Sequence, residues 1–231
     1  SAILPSRQFR ADATIQIASG ATALTVGEGS VWALTSDQLL KIDPQLNRLA
    51  VAIPHISVAL SPALTVGAGS VWVPRDDIFQ RGVQRICIKT AQMVTNIAVA
   101  GGNVAGGNGA VWVANPRNST VARIDPETNE VVVRVRVARS PGKIVVGDDA
   151  VWVLHEVSGL VTRIDPQRNE VTETIRIGRA YNNVIWVGTV GGYFGLAAGN
   201  GAIWVTSWNE GTIIRIDRQR ALAIPSTSPS I

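Results

Sequence analysis

One short motif, a glycine turn followed by a tryptophan strand, occurs five times in this chain of 231 residues. The copies read GEGSVWAL, GAGSVWVP, GNGAVWVA, GDDAVWVL and GNGAIWVT. Their tryptophans are Trp32, Trp72, Trp112, Trp152 and Trp204, spaced by 40 residues three times and then by 52. A fixed period of this length is typical of repeat architectures, so the chain is predicted to contain five similar units.

A second motif comes after each tryptophan at a similar distance: KIDPQLN, RICIKTA, RIDPETN, RIDPQRN and RIDRQRA. Between the motifs, short runs rich in Val and Ile alternate with turns of Gly, Asn, Asp and Pro. This pattern predicts four antiparallel strands in about 40 residues. Gly-x-Gly tolerates the positive φ of tight hairpins, and Asp-Pro-x-x-Asn favours a type I turn whose Asn is left-handed.

These units predict an all-β fold, namely a five-bladed β-propeller of four-stranded antiparallel blades whose ring is closed by a terminal strand. A single blade cannot bury both of its faces, so each tryptophan is predicted to be a wedge between two blades. We expect one domain over residues 1–231, with units at about 21–54, 62–100, 102–138, 142–178 and 195–225, an insertion at 179–194 and a tail at 226–231.

The terminal strand has two candidates. Residues 13–17 and residues 221–224 both resemble the fourth strand of a unit, which is one such strand too many. Either segment can complete the last blade, and both alternatives remain open at this point.

Composition excludes several function classes. The net charge is +4, but the arginines are scattered along the strands, so we expect no nucleic-acid partner. No apolar stretch approaches the roughly 18 to 20 residues of a membrane helix, so no membrane span is expected. Cys87 is the single cysteine, which excludes a disulfide or thiolate metal cluster within one chain.

The third unit, GNGAVWVANPRNSTVARIDPETNEVVVRVRV, resembles over its whole length the repeats of bacterial YVTN-type and streptogramin-lyase-like β-propellers. This resemblance implies a propeller fold and a periplasmic or secreted location. Streptogramin lyases use a histidine base and a metal held near Glu and His. Their Trp-Phe-Thr-Glu strand ends have no counterpart in this chain, so the resemblance does not carry the lyase residues over.

Strand alternation sorts the predicted loops onto two faces of the disc. The glycine and Asp-Pro turns share the regular face. The opposite face, here called the irregular face, carries the turns between second and third strands and the connections between blades. Its main segments are 55–62, 74–82, 115–119, 155–159, 179–194 and 207–211. Insertions outside a repeat tend to lie on the binding face, so we predict the binding site here.

Aromatic and amide side chains in these loops suit contact with a protein partner, and also with a carbohydrate or small ligand. The predicted binding residues are Tyr181, Asn182, Asn183, Trp186, Tyr193, Phe194, Arg75, Asp76, Phe79, Trp208 and Asn209. The alternative for the insertion is a packed segment that fills the central channel or covers an edge strand.

An enzymatic alternative uses the two histidines, His55 and His155, as catalytic bases or metal ligands. A divalent metal would need a third ligand from the acidic loop residues. The candidate ligands are His55, His155, Asp76, Glu156 and Glu210. Outside this alternative we expect no cofactor, and both histidines are then expected to be solvated loop residues.

Other residues receive structural interpretations. Asp148 and Asp149 are predicted to form a turn, and Cys87 is predicted to be an inert strand residue. The basic residue before each Ile-Asp pair is predicted to pair across strands with neighbours such as Glu130 or Glu170. These basic residues are Lys41, Arg85, Arg123, Arg163 and Arg215.

Three function classes remain from the sequence. The first is a non-catalytic, extracytoplasmic binding or scaffold propeller, as a subunit or domain of a larger assembly. The second is a metal-assisted lyase or lactone-opening enzyme, and the third is the sensor domain of a signalling protein. A fold alone does not choose among them.

Overall fold

The computed structural model describes residues 12–56, 63–76, 81–147, 149–178, 194–207 and 211–217. These residues form strands β1 to β19, joined by turns and short connections, and the described part contains no helix. The predicted all-β class is therefore confirmed.

The strands group into five sheets, the blades. The first blade is β1 (Ala23–Gly27), β2 (Ser30–Leu34), β3 (Gln38–Asp43) and β4 (Arg48–Pro54). The second is β5 (Thr65–Gly67), β6 (Ser70–Asp76), β7 (Arg81–Cys87) and β8 (Met93–Ile97). The third is β9 (Asn103–Gly107), β10 (Ala110–Asn115), β11 (Thr120–Asp125) and β12 (Glu130–Arg136). The fourth is β13 (Ile144–Val146), β14 (Val151–His155), β15 (Leu160–Asp165) and β16 (Glu170–Arg176), and the fifth contains β17 (Phe194–Gly199), β18 (Ala202–Ser207) and β19 (Thr212–Asp217).

Each of the first four blades is an antiparallel meander of four strands, and the described part of the fifth has three strands in the same order. The first strands of consecutive blades contact one another: β1 with β5, β5 with β9, β9 with β13 and β13 with β17. The five blades thus succeed one another around a ring, which confirms the predicted five-bladed β-propeller.

The described residues test one of the two predicted terminal strands. Residues 13–17 are described and form no strand. Residues 221–224 lie outside the described residues.

The turns adopt the conformations that their residues favour. Glu28 and Gly29 have φ angles of 47° and 74°, as a two-residue type I′ hairpin requires. In the Asp-Pro turns, the aspartate accepts backbone hydrogen bonds, for Asp43 from the N–H groups of Gln45 and Leu46 at 2.9 and 3.0 Å. Asn129 takes the predicted left-handed position with φ of 62°.

Four of the repeated tryptophans are fully buried between blades, namely Trp32, Trp72, Trp112 and Trp152. Trp112, for example, lies in one apolar cluster with Ile144 and Val153 of the fourth blade. The wedge prediction is confirmed for these four. Trp204 of the fifth blade keeps 37% of its surface exposed.

The blades approach closely at two of the glycines that precede a hairpin, Gly27 and Gly107. A Cβ atom on Gly107 would lie 2.6 Å from Val146 Cγ1 in the fourth blade, and one on Gly27 would lie 2.8 Å from Val66 Cβ in the second. A side chain at either position would force the two sheets apart, so packing between blades requires glycine there.

The basic residue of each third strand stacks on the tryptophan of its own blade. The cation lies 5.5 Å from the ring centroid for Lys41 on Trp32, 4.9 Å for Arg85 on Trp72, 5.7 Å for Arg123 on Trp112, 5.9 Å for Arg163 on Trp152 and 5.9 Å for Arg215 on Trp204. These distances are within the range of cation–π attraction.

The predicted pairing of these basic residues with Glu130 or Glu170 is wrong, because two of the guanidinium groups reach the next blade. Arg123 Nη1 donates to Asn169 Oδ1 at 3.1 Å. Arg85 Nη1 donates to Asn129 Oδ1 at 2.7 Å and to the Pro126 carbonyl oxygen. The asparagine of one Asp-Pro-x-x-Asn turn is therefore the partner of the arginine in the preceding blade.

Arg163 shows what happens when the turn asparagine is missing. The next blade carries Ala221 at the position of that asparagine. Arg163 Nη2 instead pairs with Asp149 Oδ2 at 2.9 Å, and its Nη1 donates to Thr172 Oγ1 at 2.9 Å. Asp149 thus serves as an ion-pair partner beside its turn.

The difference in burial predicts different costs for two equivalent truncations. Trp112→Ala empties a buried site and is expected to lower the free energy of unfolding by about 3 to 5 kcal/mol. Trp204→Ala is expected to cost less than half as much, because part of that side chain is already in water. Denaturant unfolding measures the free energy of unfolding of both variants. Equal losses for Trp112→Ala and Trp204→Ala would contradict the difference in burial.

Candidate functional site

The described part of the irregular face is rich in basic side chains. Arg81, Arg117 and Arg139 are exposed, and Arg75 and Lys143 are half-buried. The acidic residues of this part are Asp37, which is exposed, Glu156, which is half-buried, and Asp76, whose side chain is not described. The described part of this face therefore carries five basic residues against three acidic ones.

The turn after β10 explains why one of these arginines faces the solvent. The Asn115 side chain is buried, and its Oδ1 accepts the backbone N–H groups of Arg117 and Asn118 at 3.1 and 3.3 Å. The asparagine fixes the backbone of the turn from inside. The Arg117 side chain is left on the outside.

The second-unit loop contributes two arginines at the ends of a strand pair. Arg75 lies near the end of β6, and Arg81 begins β7 opposite Asp76 in the ladder. Sequence reasoning named Arg75 and Asp76 as binding residues and passed over Arg81. Sorting every charged residue by face, with the same strand alternation, would have found it.

His155 occupies the last position of β14 and is fully buried. Its Nε2 lies 2.8 Å from Thr162 Oγ1, and its Nδ1 lies 3.2 Å from the Arg139 carbonyl oxygen. The carbonyl can only accept, so Nδ1 carries the proton and Nε2 accepts from the threonine hydroxyl. Both ring nitrogens are therefore engaged within the protein.

The expectation of a solvated loop histidine is wrong for His155. The strand continues through this residue, and alternation turns the ring inward. Burial lowers the pKa of His155 to about 4, although the hydrogen bonds to Arg139 and Ala138 act in the opposite direction. The imidazole is thus neutral at physiological pH, as a structural core histidine.

Glu156 is the next residue in the chain and points elsewhere. Its side chain lies over the backbone of Gly142, where a Cβ atom would come 3.2 Å from the Glu156 Cδ. Burial raises the pKa of this carboxyl group, and the charge of Lys143 partly offsets the effect. As the strand alternation predicted, Glu156 does not orient the His155 ring.

The predicted metal ligands are not assembled in the described part of the chain. His55 is exposed, with φ of 63°, just after β4. Among the described residues, no group of three His, Cys, Asp or Glu side chains is placed to hold a metal ion. Glu210 lies outside the described residues.

Several predicted binding residues also lie outside the described residues, namely Phe79, Tyr181, Asn182, Asn183, Trp186, Tyr193, Trp208 and Asn209. Phe194 begins β17, and only its backbone is described. The prediction that these aromatic residues form one binding surface therefore stays a prediction.

Cys87 ends strand β7 as a half-exposed free thiol. The hydrogen bond with the Thr90 hydroxyl, and after it those with the Thr90 and Lys89 backbone groups, lowers the pKa of the thiol. The predicted strand position is confirmed, and the predicted inertness stays a prediction.

Comparison with solved structures supports the fold. The chain is similar to hydrazine synthase of Kuenenia stuttgartiensis, with TM-score 0.60 and 14% identity, over 94% of this chain and 70% of that one. It is similar to a streptogramin B lyase, with TM-score 0.61 and 17% identity, over 84% of this chain and 67% of that one. Likeness at these identities establishes a shared propeller fold, as the sequence resemblance implied.

A third similar structure is the extracellular domain of a proposed one-component system from B. thetaiotaomicron. The TM-score is 0.65 and the identity 16%, over 90% of this chain and 31% of that one. No protein-family profile matches the sequence, and no curated protein matches it. Within the described residues, no helix is long and apolar enough to cross a membrane.

The buried neutral histidine predicts a dependence of stability on pH. A histidine whose pKa falls from 6.5 to about 4 on folding contributes full stability above pH 6.5 and loses it as the pH drops toward 4. The loss amounts to about 3 kcal/mol. His155→Gln keeps neutral hydrogen-bonding groups, so its stability relative to the native chain should improve as the pH falls through this range.

Denaturant unfolding at closely spaced pH values measures this difference. Glu156 is present in both proteins, so its own titration largely cancels. The matched control is His55→Asn at the exposed histidine, where asparagine tolerates the left-handed backbone. A difference between native and His155→Gln proteins that is constant with pH would contradict the neutral buried ring.

Proposed function

We propose that this protein is a non-catalytic binding or scaffold propeller that acts outside the cytoplasm, as a subunit or domain of a larger assembly. In this proposal the irregular face contacts a protein partner. The excess of basic over acidic residues on the described part of that face is the observation that carries it.

The charge of the face indicates the kind of partner. Arg81, Arg117 and Arg139 are exposed at separate loops, so they can meet several acidic groups spread over a protein surface. Complementary charge of this type steers association and fixes register more than it adds affinity. The aromatic residues predicted at 179–194 would supply the apolar part of the contact, together with Trp208.

The contacts of His155 and of the recurrent basic residues also support a non-catalytic function. His155 has both ring nitrogens bonded inside the fold, and the recurrent basic residues stack on tryptophans in the seams between blades. No described residue favours the alternative of a metal-assisted lyase or lactone-opening enzyme. Similarity to streptogramin B lyase supports that alternative only at the level of the fold.

A sensor domain is the second candidate function. The similar structure from B. thetaiotaomicron is described as an extracellular domain of a one-component system, and this chain spans about a third of it. This similarity supports the proposal that the chain is a module of a larger protein and lies outside the cytoplasm. A periplasmic or secreted location accords with both candidates and with the family resemblance.

Charge reversal on the irregular face tests the binding proposal. The immobilised chain captures partners from an extract of the source organism, and recovery is compared with that of an Arg117→Glu/Arg139→Glu variant. Recovery of a specific partner is expected to fall about tenfold, as loss of roughly 1.4 kcal/mol of binding free energy would produce.

The matched control reverses two exposed arginines on the regular face, Arg48→Glu and Arg168→Glu, which changes the net charge equally. This control is expected to keep the partner. Equal losses in both variants would indicate a general charge effect and contradict recognition by the irregular face.

A further inference from the structure

The residue that follows the core of the second strand acts differently in the fourth blade than in the first and third. Thr35 and Asn115 accept backbone N–H groups of their own turns. In the fourth blade this position is His155, and the Ser158 and Gly159 N–H groups close the turn by donating to the His155 carbonyl oxygen. The turn therefore does not need the His155 side chain, and the ring bonds elsewhere.

The ring bonds to the connection between the third and fourth blades, residues 137–143. Its Nδ1 donates to the Arg139 carbonyl oxygen at 3.2 Å. Among the described residues, no other side chain bonds to the backbone of residues 138–141. Ser140 has φ of 53°, a conformation that non-glycine residues rarely adopt and that persists only where neighbouring contacts hold it. His155 thus ties the middle of this connection to the fourth blade.

The site around the ring suits only a neutral imidazole. His155 is fully buried, and Val153, on the same side of β14, packs in an apolar cluster with Val135 of the third blade. Thr162 Oγ1 lies 2.8 Å from Nε2, and Thr174 Oγ1 lies 3.4 Å from Thr162 Oγ1. A charged imidazolium in this site would lose its hydration without gaining an ion-pair partner, which is costly.

The charged groups near the ring lie on other sides of the elements around it. Arg163 and Glu173 alternate with the two threonines along β15 and β16, so they lie on the opposite face of the fourth blade. In the connection, Arg139 is exposed and Lys143 is half-buried. Glu156 lies over the backbone of the connection instead of the ring. Both printed partners of the ring nitrogens are neutral, and no described carboxylate bonds to them.

We propose that His155 is a pH-dependent latch on the connection 137–143: the neutral ring holds the connection closed, and protonation of the ring releases it while the blades stay folded. Opening the connection returns the ring to water without loss of the tryptophan seams. The connection carries Arg139 and Lys143, so its release changes how the irregular face presents these groups. This last consequence rests on the proposed function, whereas the latch itself does not.

The direction of the pH response follows from the two states of the ring. Burial lowers the pKa of His155 to about 4 while the connection is closed, and exposure to water returns it toward the ordinary value of 6.5. The latch is therefore fully effective above pH 6.5 and weakens as the pH falls toward 4. Between about pH 7.5 and about pH 5, the equilibrium constant for opening is expected to rise about thirtyfold. Burial raises the pKa of Glu156, so protonation of that carboxyl group favours the closed connection and acts in the opposite direction.

Amide hydrogen exchange of residues 137–143, followed by mass spectrometry and corrected for the intrinsic effect of pH, tests the latch. Two variants separate its parts. His155→Asn places an amide nitrogen near the position of Nδ1, so this variant keeps the donor to Arg139 and has no titratable ring. His155→Gln places its amide near the position of Nε2, so this variant keeps a group beside Thr162 and loses the donor to Arg139.

The native chain and the two variants are expected to behave differently. Relative to His155→Asn, exchange of the connection in the native chain is expected to rise about thirtyfold between about pH 7.5 and about pH 5. At about pH 7.5, His155→Gln is expected to exchange about tenfold faster than the native chain, because one buried hydrogen bond is lost. Glu156 is present in all three proteins, so its titration cancels in these ratios. The internal reference is strand β10, which is expected to exchange more slowly than the connection at both pH values.

Three results would overturn the proposal. The native chain and His155→Asn could show the same pH response, which would mean that the ring does not control the connection. His155→Gln could exchange as slowly as the native chain at about pH 7.5, which would mean that the bond to Arg139 does not hold it. The connection could exchange at the rate of β10, which would mean that it opens only when the whole fold does.

None of these measurements involves a partner. A working latch together with a failed charge-reversal capture would therefore contradict the proposed function alone. The reverse outcome would contradict the latch alone.

Discussion

A tryptophan packed between two sheets is the interaction on which this fold depends. A four-stranded blade has two apolar faces and can hide neither by itself, so each blade needs a neighbour on both sides. Trp32, Trp72, Trp112 and Trp152 meet this need at the four internal seams. Burial of one indole removes about 150 to 250 Å² of surface from water, which makes the seam a major source of stability.

The basic residue that stacks on the tryptophan can add a directional hydrogen bond to this apolar contact. Arg85 and Arg123 lie on the ring of their own blade and hold the turn asparagine of the next, so one side chain serves both the stack and the seam. The third unit shows both roles: its Asn129 accepts from Arg85 of the second blade, and its Arg123 donates to Asn169 of the fourth blade. Arg163 adopts a local partner where the next unit lacks the asparagine.

Much of the fold could be predicted because its causes are local and recur in every unit. The tryptophan period gives the blades, and the turn letters give φ angles such as those of Glu28 and Asn129. The partners of the arginines could not be predicted, because Arg123 and Asn169 are 46 residues apart and no pattern within one unit connects them. The exposure of Trp204 could not be predicted either, since a repeat does not specify which element packs against its last copy.

The candidate site was less predictable than the scaffold for the same reason. The sequence analysis placed His155 at the start of a loop, but it is the last residue of strand β14. Its ring is buried and bonds to Thr162 and to the Arg139 carbonyl group. The basic character of the irregular face emerges only when residues from separate loops are brought to one side of the disc. The scaffold and the proposed binding surface thus use different residues, and changes in the loops need not disturb the seams.

A double-mutant cycle on Arg123 and Asn169 tests the seam most directly. Arg123→Ala removes the donor, and Asn169→Gly removes the acceptor while tolerating the left-handed backbone of that turn. Denaturant unfolding of the single and double variants is predicted to give a coupling free energy of about 1 to 2 kcal/mol. The cycle of Arg123 with Glu130, which lies opposite Asp125 in the ladder, is predicted to give almost none. Coupling to Glu130 and none to Asn169 would contradict a hydrogen bond that joins consecutive blades.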